Sequence, residues 1–289
     1  MKYIYCGIVF KSNIEFPFFH ESNDDQYDYE IYYSRLMNYS NSENNTLIIQ
    51  DQTYFLYFKD KGYYEIMRER MICHFDDLQY MYATICNLPF AIITLCKKML
   101  PLHASSIVVK DKGVVTFLGE KGIGKTTIAS ILDNCKLCSA YGDDMVTCVN
   151  SFSHIVVNRG SKLMKVTKQT AEYLEQSRLL NDVYPGLNKR YYALNTGNNI
   201  EKTTALYKVF ILERGQMIGC NRLPKLVGYS ALVHNIMGVS LLEPFMAKEI
   251  KIAIKMIGNI DIYKLTVPDS IEKMKFNLVH ILKLICEEN

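Results

Sequence analysis

The chain has no run of lysine or arginine longer than two residues, no stripe in which aromatic and basic side chains interleave, and a net charge of only +3 over 289 residues. Those absences exclude the electrostatic footprint of a nucleic-acid-binding protein, so no nucleic-acid partner is expected. The opening MKYIYCGIVF is not a signal peptide, and nine cysteines without one suit a reducing cytosol better than a disulfide framework. A cytoplasmic location is the expectation. Cys135 and Cys138 form a CxxC spacing, but no second pair at comparable spacing exists to complete a structural zinc site. Charge is also missing from Leu78 to Cys96, a stretch long enough to test as a membrane span. Gln79, Asn87 and the mid-run Pro89 point instead to two packed helices broken at the proline, and no membrane partner is expected. No internal repeat is present.

What is present is concentrated in residues 113 to 127, GVVTFLGEKGIGKTT. An apolar, β-branched run from Val114 to Leu118 stops at Gly119, and Thr126 and Thr127 open a segment with helical apolar spacing at Ile128, Ala129, Ile131 and Leu132. Strand, glycine loop and helix in that order, with Gly119, Gly124, Lys125 and Thr126 at the required spacing, define a phosphate-binding loop. Its backbone N–H groups, from Gly119 through Glu120, Lys121, Gly122, Ile123 and Gly124 to Thr126 and Thr127, would cradle a nucleotide's phosphates. Lys125 would reach the β/γ oxygens, and the Thr126 hydroxyl would hold Mg²⁺. About twenty residues on, Asp143 and Asp144 stand together at a strand edge, where phosphoryl transfer needs one carboxylate for a proton and one for the metal. Against these stand the plain alternatives of a glycine-rich turn and a solvated Gly-Asp turn.

The remaining chain is read for organisation. Residues 1 to 75 are expected to be strand-rich, with runs at Tyr3 to Phe10, Leu47 to Ile49, Thr53 to Lys59 and Tyr63 to Met67, a hairpin at Lys61-Gly62 and a polar loop from Asn38 to Thr46. LHASSIVVKDKGVVTFLG reads as a hairpin whose second strand feeds the phosphate loop, with His103 at the start of the first strand. Strands are expected at Met145 to Val149, Phe152 to Val157, Ala205 to Leu212 and Ile260 to Val267. Helices are expected from Thr126 and Thr127 to about Leu132 or Asp133, over Thr167 to Leu180, through 229 to 259 with Pro244 in a first turn, and from Ile271 to Cys286 behind an Asp269/Glu272 capping box. Lys189-Arg190 is either a solvated pair or an anion contact, which spacing does not decide.

Taken together, LHASSIVV, GEKGIGKTT, YGDD and KVFILERG resemble the P-loop kinase domain of HPr kinase/phosphorylase and its wider relatives, a fold similar to phosphoenolpyruvate carboxykinase. The resemblance covers about residues 100 to 286. It implies an α/β, mixed-sheet P-loop kinase domain over 100–289, preceded by a small α+β module over 1–99, whose many tyrosines fit half-buried sheet faces, with substrate docking as the alternative. It further implies ATP and Mg²⁺ as cofactors, His103 in the active site, Asp143 as general base, Asp144 orienting the metal, and Lys189 and Arg190 touching nucleotide or substrate phosphate. The long glycine-rich signature of true HPr kinases is absent, Glu213-Arg214-Gly215 being at most an echo, so HPr itself is not the expected acceptor. By layout the nearest relatives are kinases acting on a serine of lasso-type or other ribosomally made peptides. A peptide or small protein carrying an acceptor serine is therefore the expected partner, and homo-oligomerisation is left open. Two other readings stay open: a nucleotide-binding regulator with little catalysis, and a small-molecule hydroxyl kinase.

Overall fold

The computed structural model describes residues 1–37, 46–151, 154–195, 201–255 and 260–287. The expected Asn38 to Thr46 loop thus lies outside the described residues except at Thr46, as do Phe152 and Ser153 of the expected Phe152 to Val157 strand.

An eight-stranded sheet takes up the first 75 residues, ordered in space as His20–Glu21, Lys2–Tyr5, Ile8–Ser12, Tyr29–Arg35, Arg70–Phe75, Gly62–Ile66, Thr53–Phe58 and Thr46–Gln50. Several of these strands alternate buried with partly exposed residues, as a sheet with one face on a core should. The expected single run from Tyr3 to Phe10 is two strands. Cys6 and Gly7 take φ of 50° and 81°, and the chain reverses there in a two-residue hairpin that a continuous strand reading overlooks.

A second sheet, of nine strands, is organised around the long strand Thr203–Arg214. It pairs in parallel with Gly113–Leu118 on one side and Ile262–Val267 on the other, and its first residues pair antiparallel with His154–Asn158. Gly113–Leu118 is flanked by Ser105–Val109 and then Ser139–Gly142, so the strand that feeds the phosphate loop lies inside the sheet. Burial of every residue from Val114 to Leu118 follows from that position, and explains a run with no polar alternation beyond Thr116. A third sheet has Lys189–Ala193 between Leu163–Thr167 and Leu179–Asp182. The helix Lys125–Asn134 packs against all three neighbours Ser105–Val109, Ser139–Gly142 and Leu163–Thr167.

Residue 100 does not separate two cores. One apolar cluster joins Tyr5, Phe10, Phe19 and Phe90 to Tyr141, Met145, Val146, Val209 and Leu242. Polar bonds stitch the same seam: Cys6 N–H donates to Arg159 O at 3.0 Å, Thr147 Oγ1 to Cys6 O at 3.1 Å, and Lys162 N–H to Phe18 O at 2.9 Å. A second cluster, including Phe117, Ile128, Phe210, Leu265 and Ile281, lies on the helix side of the nine-stranded sheet.

The uncharged stretch forms two helices, Leu78–Thr84 and Leu88–Cys96, bent by 51°, with Pro89 through Leu95 buried. Pro89 opens the second helix, where its missing N–H costs nothing, and the break falls just before it. Among the described residues no single helix is long and apolar enough to cross a membrane. Other expectations need correction. Thr167 to Leu180 keeps only the turn Lys168–Ala171 and the short Gln176–Arg178, because its flanks are claimed by the third sheet. Pro244 lies inside Val239–Lys255, which kinks at Met246 (φ −124°). The last helical stretch is capped by Ser270, whose hydroxyl accepts from Lys273 N–H, and it breaks at Asn277 into Ile271–Phe276 and Leu278–Cys286.

Two predictions follow the seam. A Cβ added at Gly7 would stand 2.7 Å from the Asn158 side chain, at a φ that disfavours any Cβ. Gly7→Ala is therefore expected to cost about 1–3 kcal/mol, read as a lower urea midpoint at unchanged slope; an unaltered midpoint would show that the hairpin does not hold the seam. His20 is half-buried with its Nε2 shut from solvent and unpartnered, and this burial, with the Arg159 and Lys162 charges, lowers its pKa from 6.5 to about 4. The unfolded chain then binds the extra proton between those values, so the destabilisation is absent above pH 6.5 and grows as pH falls towards 4. The melting temperature of His20→Gln should fall less steeply across that window than that of the parent protein, and equal slopes would remove His20 as the cause.

Candidate active site

The glycine loop expected to bind phosphate leaves the end of Gly113–Leu118 and enters Lys125–Asn134 through Gly124, which sits at φ 106° as the cap residue and carries no side chain to occupy the helix's first N–H groups. Arg214's guanidinium lies against Gly124, so a Cβ there would collide with it. Lys125 is buried, and its Nζ donates to Gly119 O at 2.5 Å and Glu120 O at 3.1 Å, folding back over the loop. Burial lowers its pKa, against the pull of Asp143 and Asp144. Glu120, Lys121 and Gly122 are exposed, and Ile123 packs beside Gly119. Thr127 turns away, its hydroxyl sharing a 3.0 Å bond with Thr170.

Asp143 sits 5% exposed behind the loop. Its Oδ1 accepts from Thr126 Oγ1 at 2.8 Å and Ser105 Oγ at 2.7 Å, and its Oδ2 from Lys165 N–H at 3.0 Å. Asp144 takes φ of 61°, a strained angle for a non-glycine residue that sends its carboxylate the other way. There Oδ2 meets Lys165 Nζ at 3.0 Å, and that ammonium also donates to Ala83 O at 2.9 Å. The two carboxyls divide accordingly. Burial and the Asp144 charge push Asp143 up, against its bond from Ser105 and the charge of Lys189. Burial opposes ionisation of Asp144 too, but Lys165 and then Lys189 outweigh it and hold that carboxyl far below the usual range.

Asp144 opens onto a cleft of about 700 Å³ whose walls include His103, Lys121, Lys165 and Lys189 from the later chain and Tyr80, Ala83, Thr84 and Asn87 from the first 99 residues. His103 falls between the strands Leu100–Leu102 and Ser105–Val109 rather than on one, with its backbone N–H held by Asn235 O at 2.7 Å. Burial and the Lys125 charge lower its pKa, which favours the neutral ring. The structure separates Lys189 from Arg190. Successive residues of a strand point to opposite faces, so Lys189 lines the cleft while Arg190 bonds Leu180 O at 3.1 Å and lies 3.9 Å from Asp182 on the other side.

Sequence reasoning missed Ser105, Lys165 and Asn235. Lys165 had a signal, a lysine amid the apolar strand LMKVT. Asn235 had none: its Oδ1 accepts the Gly119 N–H at 2.8 Å across 116 residues, and its Nδ2 donates to Ala231 O at 2.8 Å.

A nucleotide and Mg²⁺ suit these residues. Uncapped amides open the helix, and a Cβ built at Gly122 meets nothing within 4 Å, so the loop's outer side is clear. Among the described residues no three His, Cys, Asp or Glu gather as a metal site. Mg²⁺ needs no such cage; the hard oxygens of Thr126 and one or two carboxylates suffice beside phosphate and water. Among the described residues none of the nine cysteines, Cys135 and Cys138 included, forms a disulfide.

No protein-family model matches the chain, and no curated protein does. Among solved structures the chain is similar to the HPr(Ser) kinase/phosphatase from Coxiella burnetii, 12% identical, with 65% of this chain and 99% of that one covered and a TM-score of 0.33. Overlap of that order is a distant structural likeness, and function has to be argued from the site.

Removing one partner of a buried ion pair strands the other charge. Lys165→Met is expected to lower stability by about 3 kcal/mol or more, read by thermal or urea unfolding. A loss below about 1 kcal/mol would mean that Asp144 does not depend on Lys165.

Proposed function

We propose that this chain is a phosphotransferase that uses ATP, or another nucleoside triphosphate, with Mg²⁺ to phosphorylate a serine hydroxyl on a peptide or small protein. One observation carries the reading: Asp143 is bonded to the Thr126 hydroxyl of the phosphate loop, while the adjacent Asp144 faces an open cleft beside Lys165, His103 and Lys189. A site that only bound nucleotide would need no second carboxylate aimed where an acceptor must stand.

When bound, the Mg²⁺–nucleotide supplies a γ-phosphoryl group whose transfer spreads charge over its oxygens. Loop N–H groups and the helix start hold the phosphates, and Lys125 exchanges the Gly119 and Glu120 carbonyls for phosphate oxygens. Thr126 and Asp143 take the metal side. Asp144, kept ionised by Lys165, orients the acceptor hydroxyl and accepts its proton. His103 and Lys189, which line the cleft, would meet the transferred group's oxygens there. These roles exchange those that the family resemblance implies for the two aspartates, because Asp143 has both oxygens engaged and Asp144 has the cleft.

A peptide acceptor is favoured by the wall that Tyr80, Ala83, Thr84 and Asn87 contribute, since residues outside the phosphate-binding part then meet whatever lies beside Asp144. A ribosomally made precursor peptide of the lasso type is the acceptor class proposed for it.

Intact-mass measurement of candidate peptides incubated with the protein, Mg²⁺ and ATP tests the reading. Lys125→Ala should lower transfer at least about a hundredfold. Asp144→Asn should retain nucleotide binding and lose transfer, whereas Asp143→Asn should raise the Mg²⁺ concentration needed. Normal transfer by Asp144→Asn would return the role of base to Asp143.

A further inference from the structure

The turn Val183–Leu187, between strands Leu179–Asp182 and Lys189–Ala193, lines the same cleft from the side away from the loop. Val183 is buried, but residues 185 to 188 are exposed, and within the turn the backbone bonds are Val183 N–H to Lys189 O at 3.0 Å and Leu187 N–H to Tyr184 O at 3.0 Å. Tyr184 does not stay with its own sheet. Its hydroxyl donates to Asp77 Oδ2 at 2.8 Å and accepts from Lys61 Nζ at 3.3 Å, and its ring meets Tyr80 edge-on at 5.4 Å. The Lys61 ammonium stands 5.6 Å from the Tyr80 ring and 5.8 Å from that of Tyr184. Asp77 is prepared for this contact, since its other oxygen, Oδ1, already caps the helix Leu78–Thr84 by accepting from Gln79 and Tyr80 N–H.

All three anchors belong to the first 99 residues, whereas the turn leads directly to Lys189, whose charge acts on Asp144. The contacts number only a few, two part-buried hydrogen bonds, one ring contact and the Lys61 ammonium over both rings, which is the composition of a closure that can open. We propose that Val183–Leu187 is a lid over the cleft, latched by Tyr184 to Asp77 and Lys61, and that Tyr184 is a positioning residue that decides whether the phosphoryl group meets an acceptor hydroxyl or water. This rests on the phosphotransferase reading. With an acceptor, its oxygen bonds to the γ-phosphorus, the bond from that phosphorus to the β-phosphate oxygen breaks to leave nucleoside diphosphate, and Asp144 takes the hydroxyl proton. With water the same bond breaks, and the products are nucleoside diphosphate and inorganic phosphate, the proton leaving by the same carboxylate. A latched lid keeps water from that position until an acceptor displaces it.

Tyr184→Phe keeps the ring contact and removes both polar bonds; Lys61→Met, remote from the reacting atoms, removes one. Each variant is incubated with Mg²⁺ and ATP without acceptor, and phosphate release, ATP affinity and amide hydrogen exchange over residues 183 to 187 are measured. Tyr184→Phe should speed that exchange on the order of tenfold, as expected for the loss of two ordinary hydrogen bonds, and should raise phosphate release with ATP affinity unchanged. Lys61→Met should shift both in the same direction by less. Unchanged exchange, or faster exchange without added phosphate release in a protein that binds ATP, overturns the lid alone. A parent protein that binds no ATP overturns the phosphotransferase reading, and the inference with it.

Discussion

The arrangement depends on one buried carboxylate. Asp143 draws its three donors from three separate elements: Ser105 on a strand of the nine-stranded sheet, Thr126 at the start of the loop helix, and the Lys165 backbone on the third sheet. A carboxylate removed from water tolerates no vacant position of this kind, since each missing bond leaves its desolvation uncompensated. Moving any of the three elements would break that set, so the carboxylate fixes the loop helix between two sheets. Asp144 follows as a consequence. With Asp143 held backwards, the left-handed angle at Asp144 is what presents its carboxylate to the cleft, and Lys165, tied to both aspartates, makes the pair a unit.

The first 99 residues are part of the same construction. Their aromatic cluster, in which Tyr5, Phe10, Phe19 and Phe90 meet at 4.6 to 5.7 Å, continues into Tyr141 and Met145 on either side of the Asp143 turn. The cleft wall from the first 99 residues therefore shares a packed core with the strand that leads into the glycine loop, so a displacement on one side is felt on the other. Across this seam, the Val183–Leu187 turn is held by two part-buried hydrogen bonds and the Tyr184–Tyr80 ring contact.

How far the site could be read in advance depended on sequence distance. The loop residues Gly119 to Thr126 and the hairpin Ser105–Val109 with Gly113–Leu118 were legible, because glycine spacing, β-branched runs and a turn act within a few residues of one another. The pairing of Lys189 with Arg190 was misleading for an equally local reason: adjacency suggests a joint role, and strand geometry puts neighbours on opposite faces. Thr167 to Leu180 shows tertiary override, since helix-like composition lost to the strands that the third sheet recruited on both sides.

The chain by itself determined the phosphate loop, the paired aspartates and most strands around them, since these follow from steric and hydrogen-bonding preferences of consecutive residues. Only the tertiary structure decided where each aspartate's carboxylate lies and what it bonds. Asp143 finds its donors 17, 22 and 38 positions away, Asn235 reaches Gly119 across 116, and Tyr184 reaches Asp77 across 107. Contacts at those separations are set by how sheets stack to bury apolar faces, and no periodicity along the chain records them.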